Sequence, residues 1–88
     1  MDQYLGQVPE EVDALAAEFE TKAGDLESIQ AAITAKLGGT TWTGPDRERF
    51  QGEWESQLGT AFTQLAEMLR TGARIAGGNA QEQRDASA

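Results

Sequence analysis

The chain has no cysteine and no histidine among its 88 residues. The first absence excludes a disulfide framework and thiol chemistry. The second removes the commonest general base, the commonest zinc ligand and the side chain that titrates nearest neutrality. Proline occurs only twice, and the aromatic side chains are two Trp, one Tyr and three Phe, so any core is modest and this is one small domain. Seven basic residues face fifteen acidic ones, a formal charge of −8. Such a surface repels a phosphate backbone, which argues against nucleic acid as a partner, and an anionic membrane is a poor partner for the same reason. No run approaches the ~20 apolar residues of a spanning helix. The start, Met1-Asp2-Gln3-Tyr4-Leu5-Gly6-Gln7, has neither a basic nor an apolar region of the secretory kind. The expectation is a cytoplasmic protein, unless it leaves by a route that reads a folded surface.

What is present is helical periodicity. From about residue 8 to residue 37, apolar side chains fall at Val8, Val12, Leu15, Phe19, Leu26, Ile29 and Ile33. Their steps of three, four and seven make a heptad-like stripe, with Lys22 in the skipped place and Ala23 beside it. Pro9 suits a first helical turn, and Glu10, Glu11 and Asp13 suit the positive end of the helix dipole. Gly24, a weak helix former, suggests a close contact between helices. From about residue 45 to residue 76 a second helix carries two adjoining rows: Trp54, Leu58, Phe62, Leu65 and Leu69, then Ala61, Leu65, Met68, Gly72 and Ile75. A band that wide faces two neighbours at once. Arg70 and Arg74 sit where the last turns are expected. Gly77-Gly78-Asn79 then breaks the helix, and residues 77–88 read as a mobile tail.

Between the helices lie Gly38, Gly39, Thr40, Thr41 and Trp42-Thr43-Gly44-Pro45. The two glycines invite a left-handed helix end, and Pro45 forbids continuation of an upstream helix. Thr43-x-x-Asp46 matches a capping box in outline, without deciding between Thr43 and Gly44 as the cap. Two long helices joined by about seven residues form an antiparallel hairpin. A lone hairpin encloses no core and is marginal, so a second hairpin is the natural cover for the outer row, completing a four-helix bundle. The fold class is therefore all-α, a hairpin that dimerises. Residues 2–37 carry eight acids against two lysines, and residues 45–88 carry seven acids against five arginines. Two copies together would hold −16, which favours a less acidic partner over a homodimer.

Trp42-Thr43-Gly44 at the bend, followed by Pro45-Asp46 and then Phe50 and Trp54, resembles the WXG family of early-secreted-antigen-like helical-hairpin proteins, substrates of type VII secretion. The likeness spans nearly the whole chain. It implies a dimeric four-helix bundle and export of the folded dimer by a membrane ATPase apparatus. It also implies a bipartite signal, with the bend of one chain lying near a Tyr-x-x-x-Asp/Glu at the end of its partner's second helix. Here the corresponding tail reads Asn79-Ala80-Gln81-Glu82-Gln83-Arg84, with Ala80 in the place of Tyr and Arg84 in the place of the acid. A partner that supplies that half of the signal is the reading this departure suggests.

Function is accordingly expected to be non-enzymatic: a type VII secretion substrate or co-substrate, paired with another hairpin and secreted by that route. Trp42 and Gly44 form the turn motif. Val12, Leu15, Phe19, Leu26, Ile29, Phe50, Trp54, Leu58, Phe62, Leu65 and Leu69 build the core and the dimer interface. A cytosolic adaptor that covers the N-terminal hairpin of a larger toxin is the alternative, and a membrane-active helix pair is a weaker one that −8 opposes. No cofactor, metal or small-molecule substrate is expected. The acidic neighbours Glu10, Glu11 and Asp13, or Glu53 and Glu55, point in different directions from a helix, and calcium wants six or more oxygens from a shaped loop.

Overall fold

The computed structural model describes residues 7–87; residues 1–6, with Tyr4 and the expected start, and Ala88 lie outside them. Helix α1 spans Pro9–Gly39 and helix α2 Pro45–Glu53. A π-helical turn, Trp54–Leu58, leads without a break into α3, Gly59–Ser87. Both residues flanking the turn keep right-handed helical dihedrals, so residues 45–87 act as one long second arm. The two arms run antiparallel in a rod of 64 × 18 × 14 Å. All described secondary structure is helical.

Pro9 opens α1 and Glu10 and Glu11 fill its first turn, so fixed φ and dipole complementarity both set this start. The other end differs from the left-handed glycine cap that the sequence suggests. Thr40 is the cap, with extended dihedrals, and among the described residues only Gly44 has positive φ, at 116°. The end carbonyls of α1 find side-chain donors instead. Thr40 Oγ1 donates to the carbonyl of Lys36 at 2.6 Å. Arg47 reaches back from α2 to the carbonyl of Leu37 at 3.2 Å, bringing a cation to the negative end of α1. The capping box does not form: Gly44 is the cap of α2, no side chain bonds there, and its carbonyl accepts the Glu48 N–H at 3.1 Å.

The second arm does not end at residue 76 in a mobile tail. It continues as helix to Ser87, because the last turns are packed: Ala80 is fully buried and Arg84 is paired with α1. Side-chain burial outweighs the glycine penalty at 77 and 78. Arg70 and Arg74 are consequently mid-helix rather than terminal.

The seam between the arms is made of small side chains. Gly59, Ala66, Ala73 and Ala80 recur every seven residues on α3 and are all buried, with Ala23 of α1 buried opposite them. Phe62, Leu69 and Ala76, also seven apart, are half-buried beside them, as are Val12, Phe19 and Leu26 on α1. This is coiled-coil spacing. The close contact expected at Gly24 falls on its neighbour Ala23; a Cβ at Gly24 would meet nothing within 4 Å. At Gly72 a Cβ would stand 3.2 Å from the Phe19 ring, so the close approach lies there.

Candidate pairing face and bend

Two stripes flank the seam on each arm. On α1, Asp13, Glu20 and Glu27 repeat every seven residues, and Leu15, Lys22 and Ile29 repeat two positions later. At about 100° per residue those stripes lie ~200° apart, on opposite sides of the seam. The second arm repeats the pattern, with Thr63, Arg70, Gly77 and Arg84 on one side and Leu58, Leu65, Gly72 and Asn79 on the other.

One face is ionic. The Arg70 guanidinium makes two bonds to the Glu27 carboxylate, at 2.7 and 2.8 Å, with Glu20 at 3.7 Å. The Arg70 hydrogen bonds hold the Glu27 carboxyl below its ordinary range and raise Arg70. Arg84 donates to Asp13 at 2.6 Å, with Glu10 at 3.8 Å. These charge-assisted contacts, fork-shaped at Arg70–Glu27 and single at Arg84–Asp13, fix the stagger of the arms.

The opposite face is apolar and uncovered. Leu15 and Ile29 of α1 and Leu58 and Leu65 of the second arm are all exposed, and Ile33, which continues the seam row of Val12, Phe19 and Leu26, is exposed at the bend. The row continues around the arm through Ala61 to Met68 and Ile75, which are 70% and 60% exposed. Of the eleven expected interface residues, Trp54 is buried, Val12, Phe19, Leu26, Phe62 and Leu69 are half-buried, and Leu15, Ile29, Phe50, Leu58 and Leu65 are exposed.

The π-turn makes this division. The Gly59 N–H bonds to the Trp54 carbonyl, five residues back, which inserts one residue into the helical repeat. In a straight α-helix Trp54, Leu58 and Phe62 would share one face. With the turn, Trp54 faces inward at 6% exposure and Leu58 faces out at 42%. Trp54 donates its indole N–H to Thr34 Oγ1 at 2.8 Å, and Gln30 Nε2 donates to the Gly59 carbonyl at 3.4 Å.

At the bend the aromatic rings form a ladder. Phe50 stacks on Trp54 with centroids 6.3 Å apart and planes 16° apart. Trp54 is tilted on Phe62 at 5.7 Å, and Trp42 on Phe50 at 6.4 Å. Trp42 is 40% exposed, part of its ring packed on Phe50 and part open to solvent. It lines a shallow, open recess with Ile33, Lys36, Leu37, Thr40 and Phe50. Among the described residues Gly44 alone has positive φ, which lets Pro45 begin the second arm.

The sequence pattern overlooked Gly59, Ala66, Ala73, Ala80 and Thr34. The signal that finds the first four is the seven-residue recurrence of small residues. Among the described residues, no cluster of three or more acidic groups is arranged to hold a metal, and no helix is long and apolar enough to cross a membrane. No family profile, no curated protein and no solved structure matches the chain.

Proposed function

We propose that this chain is a non-enzymatic pairing protein, a hairpin that docks its apolar face against another helical hairpin to complete a four-helix bundle. The observation that carries the reading is the one-sided placement of its large apolar side chains: alanine and glycine fill the internal seam, while Leu15, Ile29, Leu58, Leu65, Met68 and Ile75 face solvent. Exposed stripes of this kind mark interaction surfaces. The acidic charge of α1 favours a partner that differs from this chain and is less acidic.

Within that reading, the chain is a type VII secretion substrate or co-substrate that reaches the outside through the membrane ATPase apparatus. Support comes from the resemblance at Trp42-Thr43-Gly44, from the position of those residues at the bend, and from the partial exposure of Trp42. Residues 79–84 lack the tyrosine and the acid of the export motif, so the partner provides them. A second reading, an adaptor that stays in the cytoplasm and covers the hairpin of a larger toxin, is favoured by one feature: Arg84, in the place of the acid, is engaged with Asp13 of its own chain.

Light scattering of the purified chain, alone and with candidate partners encoded beside it, tests pairing. A fully helical monomer that binds none of them would overturn it. Export is tested with Trp42→Ala in a cell that carries the secretion apparatus. Loss of export with pairing retained supports the secretion reading; export unchanged removes the bend from it.

A further inference from the structure

Gly77 and Gly78 lie inside α3, and a Cβ at either would meet nothing within 4 Å. Packing explains two other glycines of this arm, Gly59 and Gly72, but not Gly52: a Cβ at Gly59 would stand 3.0 Å from the Trp54 carbonyl oxygen, and one at Gly72 would press on Phe19. No such neighbour requires glycine at 77 or 78, where it only weakens the helix. Beyond this weak point the chain is fastened again. Ala80 is fully buried. Gln83 Nε2 donates to the Gln7 carbonyl at 3.3 Å, and Arg84 donates to Asp13 at 2.6 Å. A weak link followed by a specific clasp is the construction of a movable segment.

We propose that Gly77-Gly78-Asn79 is a hinge and that residues 80–87 are a latch. The latch closes on the first turns of α1 and opens as a unit, while residues 59–76 stay helical and packed. Opening uncovers Ala80 on one side and Asp13 with Glu10 on the other, and frees an eight-residue segment for another polypeptide. The inference stands on the closed hairpin alone and does not depend on the partner or on export.

Residue-resolved amide exchange by NMR on the full chain tests it, comparing wild type with Gly77→Ala/Gly78→Ala, Arg84→Ala and the control Gly24→Ala, another glycine with open space around it. In the wild type, protection drops in a step across residues 77–79. The double alanine variant slows exchange at 81–87 by about twentyfold, roughly four- to fivefold per glycine, and leaves 66–76 unchanged. Arg84→Ala speeds exchange at 81–87 only, and Gly24→Ala leaves 81–87 unchanged. A smooth decline from the C-terminus with no step at 77–79 overturns the hinge. So does an exchange rate at 81–87 that the double variant leaves unmoved, or slows only together with 66–76.

Discussion

The indole N–H of Trp54 donates to the hydroxyl of Thr34 across the two arms, at 2.8 Å. Trp54 is the only large side chain among the buried apolar residues described, and its single polar atom is satisfied by the opposite helix. Thr34→Val removes that acceptor at nearly constant volume and should cost about 1–2 kcal/mol, with the indole left unpaired. Trp54→Ala adds a cavity and should cost about 3–5 kcal/mol, a large share of the stability of a hairpin this size. Chemical unfolding followed by circular dichroism measures both. A neutral Trp54→Ala would mean that the aromatic ladder does not hold the bend end together.

The small-residue seam makes a sharper claim. Ala66→Leu or Ala73→Leu forces the arms apart and should destabilise by about 1–3 kcal/mol or more. Ile75→Leu, on the exposed side of the same helix, should stay within about 0.5 kcal/mol for the unpaired chain. Thermal melts of the three variants decide whether the seam lies along Gly59, Ala66, Ala73 and Ala80.

The Arg70–Glu27 pair predicts a pH dependence with a definite sign. Glu27 has its pKa lowered in the folded chain, so its contribution is fully present above the ordinary glutamate range and fades as pH falls through that range and below it. Wild type and Glu27→Gln should therefore differ most in Tm at neutral pH and converge in acid. The pair is exposed, so the difference is small and shrinks with salt. Curves that diverge on acidification would contradict the assignment.

Association and stability should separate by face. Leu58→Asp/Leu65→Asp puts charge on the apolar side and should abolish pairing while the arms keep their internal seam. Arg70→Ala, on the ionic side, should lower Tm and leave pairing intact. Sedimentation of each variant with the partner that binds wild type reads the difference. Pairing that survives the double Asp substitution would move the docking surface elsewhere.

The two arms and the bend were legible because their signals are local. Pro9 and Pro45 start the helices, Gly44 allows the reversal, and spacings of three, four and seven name the helical period. The inner seam was not legible, for two physical reasons. Alanine reads as filler when large apolar residues are counted, although here close approach of the helices depends on it. The π-turn also shifts the phase of everything after Trp54 by one residue, so the row of Trp54, Leu58 and Phe62 that looks continuous in sequence is split between inside and outside. The last helical turns were missed because the glycines at 77 and 78 are local, whereas the Arg84–Asp13 contact joins residues 71 apart.

The extra residue in the π-turn has a bearing on descent. A related hairpin whose second arm is a straight α-helix would need one residue fewer between Phe50 and Phe62 to keep both rings in place. Any correct superposition of the two sequences opens a gap of one within residues 54–58. An ungapped comparison would match inward positions on one side of that point with outward positions on the other, and two members of one lineage would look like strangers.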